Sequence, residues 1–164
     1  MRKICCFAGH SQIANTTDIY NALMLYIEKL INEKDVLEFW VGNYGVFDRM
    51  SAGAVRSLKE KYKNIELNLV IPYVTKEIGE YKEMYYKEYD NILITEMPEN
   101  TPQRLMIIKC NEYMVNNSKY LIAYVSTDIG GAAKTLEYAK RKSLKIINIA
   151  DKKTTASDAV VFEN

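Results

Sequence analysis

The residues best suited to chemistry gather at four places where an apolar run gives way to glycine and polar side chains. Gly9-His10 follows Cys5-Cys6-Phe7-Ala8, Gly42 and Gly45 precede Asp48-Arg49, Arg104 follows Pro102, and Gly130-Gly131 ends a polar stretch that starts at Ser126. Glycine lets backbone approach a ligand because no Cβ intervenes, and a helix that starts directly afterwards offers unpaired N–H groups at the positive end of its dipole. The chemistry this favours is the holding of an anion, phosphate above all, at Gly130-Gly131. A tight strand-to-helix turn would use the same two glycines without a ligand. His10, the sole histidine, can bond a phosphate or a ribose hydroxyl, or make a structural hydrogen bond. Asp48 and Arg49 can meet a ligand through carboxylate and guanidinium, or Asp48 can cap a helix. Arg104 can clamp a phosphate with two parallel bonds or stand as an exposed helix charge. No second His or Cys is spaced to share a metal with His10, and the glycines at 42 and 45 lack the full GxGxxG spacing, so neither a metal nor a bound cofactor is expected.

These positions need a scaffold that brings strand ends together. Apolar runs of strand length lie at residues 4–8, 38–41, 66–71, 91–94, 120–124 and 145–149, and helical patterns fill the intervals. Ile19, Leu23, Tyr26, Ile27, Leu30 and Ile31 recur three and four apart behind Asp18, a helix with a cap. Further helices are expected over 48–61, over 101–116 with Thr101 as cap and Pro102 at the first helical position, and over 132–142. Alternating strands and helices predict an α/β chain, a three-layer Rossmann-like fold whose mostly parallel sheet of about six strands is covered by helices on both faces. In such a sheet the ligand sits beyond the carboxyl ends of the strands, where all four clusters fall. One domain over 1–150 and a polar tail or short edge element over 151–164 complete the expected organisation.

At 164 residues the chain hides enough surface for a core, roughly 70% of what the unfolded chain exposes. Three cysteines, two of them adjacent, make neither a disulfide framework nor a zinc pattern. With 22 Lys and Arg against 21 Asp and Glu, the global field attracts neither nucleic acid nor an anionic membrane, so both are expected to be absent as partners. No run of about 18 apolar residues is present, and the amino terminus is too mixed for a signal peptide, so a soluble, cytoplasmic location is expected. Tyr81, Tyr85, Tyr86 and Tyr89 form a tyrosine-rich segment, suited to a half-exposed helix or to a pocket or subunit wall.

The stretch MIIKCNEYMVNNSKYLIAYVSTDIGGAAKTLEYAKRKSLKIINIA resembles the carboxyl-terminal half of the SLOG superfamily. These Rossmann-like proteins include the lysine decarboxylase-like, cytokinin-activating enzymes and a branch of small bacterial and phage proteins. The small branch also opens with a CCFxGH strand and carries a glycine-rich strand end followed by Phe-Asp-Arg, as residues 5–10 and 42–49 do here. The resemblance implies that Gly130 and Gly131 hold a nucleotide phosphate, that Glu137 stands where a catalytic glutamate of an N-glycosidase would, and that Cys110-Asn111 occupies the site of an arginine-bearing RKxxM motif. The arginine of that motif is therefore Cys110 here, either a buried helix cysteine or a nucleophile, and Glu137 also stands four residues before Arg141, as a helix ion pair would.

The resemblance implies binding of a nucleotide or a nucleotide-derived small molecule, such as an ADP-ribose relative, with Gly9, His10, Gly42, Gly45, Asp48, Arg49, Arg104, Asn111, Gly130 and Gly131 around it. One alternative is a nucleoside 5′-monophosphate phosphoribohydrolase using Glu137. Another is an oligomeric interaction module without ligand, for which Tyr85→Ala would disturb assembly. Dimers are common in the superfamily, so a homo-oligomer is expected.

Overall fold

All six apolar runs pair into a single parallel sheet in the computed structural model, which describes residues 2–151. Apart from Asp151, the tail expected over 151–164 lies outside the described residues. In chain order the elements are β1 (Ile4–Gly9), α1 (Thr16–Lys34), β2 (Glu38–Val41), α2 (Val46–Leu58), β3 (Glu66–Ile71) and α3 (Lys76–Glu80). They continue with α4 (Lys82–Glu88), β4 (Asn91–Ile94), α5 (Gln103–Asn116), β5 (Tyr120–Tyr124), α6 (Gly131–Arg141) and β6 (Lys145–Asn148). The sheet order is β4-β3-β2-β1-β5-β6, the Rossmann-like α/β architecture.

Parallel strands cannot be joined by a tight turn, so each connection carries a helix, and the sheet ends up buried on both faces. The period-two alternation of side chains divides the core accordingly. Cys5 and Phe7 of β1 face the layer of α1 and α2, with Phe39 and Leu69 from the neighbouring strands. Cys6 and Ala8 face the opposite layer of α5 and α6, with Trp40, Leu121 and Ala123. Fully buried side chains of this class contribute about 1.5–3 kcal/mol each, which is what fixes the strand register. A polar thread across the sheet adds specificity: Asn91 Nδ2 donates to Asn68 Oδ1 at 3.0 Å, and Asn68 Nδ2 and Trp40 Nε1 both donate to Glu38 Oε1, at 2.9 and 2.8 Å.

Three expected caps are displaced by one to three residues. Asp18 lies inside the first turn of α1 and accepts from Asn15 Nδ2 at 2.9 Å, while Asn15 takes the cap position. Helix α2 starts at Val46, two residues before the expected start, because Phe47 already turns into the core layer. Pro102 itself precedes α5, and the Thr101 hydroxyl donates to Pro98 O at 2.7 Å instead of capping. The tyrosine-rich segment is two short helices with divided roles. Tyr85 and Tyr89 are buried and stacked at 6.2 Å, whereas Tyr81 and Tyr86 are exposed. Tyr85→Ala would therefore empty the core and cannot report on assembly.

Candidate functional site

The chain lays down β1 to β4 outward in one direction and then crosses back to set β5 on the other side of β1. The segment leaving β1 turns to the α1 layer and the one leaving β5 turns to the α6 layer, so their divergence opens a crevice at the carboxyl ends of the two strands. A cavity of about 370 Å³ occupies it, within the roughly 300–1,000 Å³ of small-molecule sites. One wall is Gly9, His10, Ser11 and Gln12, another is Tyr44 and Asp48 from the start of α2, and Ile107 and Asn111 of α5 close a third. The start of α6 completes it with Gly130, Gly131 and Ala132.

His10 holds the crevice in register. The Ser126 N–H donates to His10 Nε2 at 2.9 Å, the Ser126 hydroxyl lies 3.1 Å from the same atom, and the His10 N–H donates to Tyr124 O at 3.3 Å. With Nε2 accepting, Nδ1 carries the proton of the neutral imidazole and is left as a donor. The ring meets Tyr124 edge-on at 5.8 Å. Both structural and ligand-facing roles are thus compatible for this residue, since it lines the cavity while bridging β1 and β5.

Two glycines make the crevice possible by close approach. A Cβ on Gly9 would collide with the buried Phe47 ring, and a Cβ on Gly45 would collide with the backbone of Ser11, against which Val46 N–H donates to Ser11 O at 3.0 Å. The loops after β1 and β2 are therefore pressed together, and Asp48 is carried into the cavity. Its Oδ2 accepts the Tyr44 N–H at 2.9 Å. Burial raises the Asp48 carboxyl to about 6, against smaller lowering effects from that backbone bond and from Arg49. Burial also pushes the Tyr44 hydroxyl above its ordinary value. Among the described residues, neither Lys nor Arg lines the cavity. An anion there would rely on the amides that open α6, where no side chain caps the helix and the first bond is Lys134 N–H to Gly130 O at 3.1 Å.

Of the ten expected ligand residues, Gly9, His10, Asp48, Asn111, Gly130 and Gly131 line the cavity. Gly42 is buried behind it, with a Cβ position 3.1 Å from Asp48 Oδ2, and Gly45 shapes it from outside through Ser11. Arg49 and Arg104 are exposed and absent from its walls. Glu137 also lies elsewhere, on the outer face of α6, where Lys140 Nζ donates to its Oε1 at 3.0 Å; the ion pair is with Lys140 and not Arg141. Cys110 is buried, donates to Val70 O at 3.7 Å and is pushed up to about 12 by burial, so it is a thiol at neutral pH. Ser11, Gln12, Tyr44 and Thr135 line the cavity without having been singled out in the sequence. Proximity to Gly9 and Gly45 was the available signal for the first three, and Thr135 bears none because its hydroxyl is engaged with Gly131 O at 2.9 Å.

Gly130 has φ 105° and ψ 177°, a conformation that L side chains rarely adopt, whereas Gly131 is an ordinary first helical residue with no atom near its Cβ position. Gly130→Ala is expected to cost about 1–2 kcal/mol in chemical denaturation, and Gly131→Ala next to nothing. Equal costs at the two positions would contradict the assigned geometry.

No family model and no curated protein matches the chain. Among solved structures, the chain is similar to DNA processing protein A (DprA) from Streptococcus pneumoniae, with a TM-score of 0.65 at 15% identity over 98% of this chain. It spans 56%, about half, of that protein's length. The match establishes the shared Rossmann-like fold. Among the described residues, no helix is long and apolar enough to cross a membrane. The match also overturns the expectation that nucleic acid is excluded as a partner, because a protein named for DNA processing carries the same fold. Net charge is a sum that does not show local surplus: residues 138–150 hold Lys140, Arg141, Lys142 and Lys145 and no acid.

Proposed function

We propose that residues 1–150 form a SLOG-like binding domain whose ligand is a nucleotide or a nucleotide-derived small molecule, seated in the crevice between β1 and β5. The observation that carries the reading is the cavity at the reversal of strand order, floored by an uncapped helix start that combines Gly130, Gly131 and free amides. In this reading the phosphate sits on the start of α6. Asp48, one carboxylate oxygen of which bonds Tyr44, presents the other as an acceptor for sugar hydroxyls or an exocyclic amine. The His10 ring nitrogen not engaged by Ser126 is a donor to the same ligand.

Thermal denaturation against a panel of AMP, ADP, ADP-ribose, NAD and a single-stranded oligonucleotide tests the proposal. The oligonucleotide belongs in the panel because of the DNA-processing neighbour. A true ligand at ten times its dissociation constant is expected to stabilise the fold by about 1.4 kcal/mol. That gain should be lost in a Gly131→Glu variant, which sets a carboxylate against the phosphate. An unchanged midpoint across the whole panel at millimolar concentration would count decisively against the reading.

A hydrolytic reading is supported by one observation, the Asp48 carboxyl raised to about 6 inside the cavity, a value suited to proton transfer near neutral pH. Free base released from a nucleoside monophosphate, and abolished by Asp48→Asn, is the outcome in the same panel that would favour it over binding alone.

A further inference from the structure

Among the described residues eight large apolar side chains are exposed, and seven of them lie on segments around β4, an edge strand of the sheet. Tyr81, Met84 and Tyr86 belong to the helical segment that leads into β4, and Ile94 ends β4 itself with 54% of its surface exposed. Tyr113 of α5 shares with Ile94, Met97 and Pro98 a groove of about 620 Å³. The Tyr113 ring is stacked on the buried Trp40 at 5.8 Å, so this wall is fixed before anything binds.

The backbone beside the groove is open as well. Beyond its ladder with β3, Asn91–Ile94 makes no backbone hydrogen bond among the described residues, and its sequence, Asn-Ile-Leu-Ile, lacks the charge that usually blunts such an edge. The charge lies on the flanks instead, and acid is in surplus. Residues 76–99 hold three lysines against seven acids, in a chain whose net charge is +1. Two of the acids are answered locally, Glu80 by Lys76 and Asp90 by Lys59. The exposed Glu77, Glu83, Glu88, Glu96 and Glu99 make no ion pair among the described residues, and only Lys82 and Lys87 stand against them. The groove repeats this balance, with Glu96 and Glu112 against Lys109.

We propose that the β4 edge binds an extended, basic segment of another protein, which adds to the sheet as a strand beside β4. Main-chain hydrogen bonds supply affinity in this mode, and alternate side chains supply specificity. Successive residues of the added strand point to opposite faces of the sheet. On the α5 face its apolar side chains enter the groove beside Tyr113. On the α4 face its Lys and Arg side chains lay their aliphatic stems over Met84 and Tyr86 and carry their charges to the unpaired glutamates. The sign of the surplus excludes the other occupants of an open edge. A nucleic acid is repelled by these carboxylates, and a second copy of the chain would set acid against acid.

Selection of peptides on the full chain without nucleotide tests this independently of the ligand reading. The probe is a displayed library of random peptides of about twelve residues, enough to cover a strand of ordinary length. Enriched peptides are expected to alternate apolar residues with Lys or Arg and to be poor in Asp and Glu. The most enriched peptide, made synthetically and followed by fluorescence anisotropy, should bind at least about tenfold more weakly to Ile94→Lys and to the Glu96→Lys, Glu112→Lys double variant. It should bind unchanged to Ile129→Lys, at the one exposed large apolar residue outside this edge among the described residues. Hydrogen exchange of the wild type supplies a measure free of mutation: the peptide should slow exchange of the Asn91–Ile94 amides. No enrichment, enrichment of acidic or unpatterned peptides, binding that survives both variants, or exchange that the peptide leaves unchanged overturns the proposal. So does sedimentation velocity that finds the free wild type self-associated and Ile94→Lys monomeric, because a second copy then fills the edge.

Discussion

Gly9→Ala is expected to destabilise the protein by about 3 kcal/mol, and Gly45→Ala by at least as much, although each adds a single methyl group. The Cβ added at Gly9 would enter the ring of Phe47, which is fully buried and stacked on Tyr124 at 6.4 Å. Overpacking of a closed core ordinarily costs about 1–3 kcal/mol and exceeds that where the neighbour has nowhere to go. At Gly45 the obstacle is the Ser11 backbone, which can yield only by separating the loops after β1 and β2 and losing the Val46 to Ser11 hydrogen bond. Gly42→Ala is the internal control. Its Cβ would lie 3.1 Å from a carboxylate oxygen of Asp48, a contact that a small side-chain shift relieves. Urea unfolding monitored by circular dichroism measures all three. Phe47→Leu should partly rescue Gly9→Ala and leave Gly45→Ala untouched, because only the first collision is with that ring. A Gly9→Ala variant within about 1 kcal/mol of wild type would mean that the crevice is not built on this contact.

The same two glycines explain how much of the molecule was legible in the sequence. The six strands were readable to within a residue because alternation of the kind seen at Cys5-Cys6-Phe7-Ala8, one side chain to each layer, leaves a run that is apolar throughout. Helix starts were less so. Asp18 and Asp48 have the chemistry of caps, yet each sits in the first turn and bonds a group before the helix, Asn15 Nδ2 and the Tyr44 N–H respectively, a role that sequence spacing does not separate from capping. At the site, glycine after a strand marked the right loops. It could not say which face of a helix a neighbouring side chain takes: Asp48 enters the cavity while Arg49, one residue on, does not. Tyr44 and Gln12 lay in loops that the glycines marked, yet nothing in the sequence made either a ligand residue. They become wall residues only when Gly45 brings two loops together that lie more than thirty residues apart in the chain. Arg104 and Glu137 were selected by a short pattern or by resemblance, and both lie outside that junction.

Asp48→Asn is expected to stabilise the fold at neutral pH while weakening whatever the crevice binds. In the folded protein the carboxyl is raised to about 6 by burial, against about 4 for a free aspartate in the unfolded chain. Between those values the folded state holds a proton that the unfolded state has released, so stability falls as pH rises through this window. The cost is complete above about pH 6 and absent below about pH 4, and the width of that window sets its ceiling at about 2–3 kcal/mol. Asparagine keeps an oxygen for the Tyr44 N–H and removes the charge. The variant should therefore unfold at a higher temperature than wild type at pH 7.5, and the two curves should converge towards pH 4. Glutamine at the same position is not an equivalent test, since its longer side chain would leave the Tyr44 bond. If the curves of wild type and Asp48→Asn run parallel from pH 4 to 8, the carboxyl is not desolvated and has no special place in the site. If they converge in acid as expected, the native protein retains a partly buried charge that weakens its own fold, and a carboxylate retained at such a cost, on the wall of the crevice, is most economically explained by what it holds there.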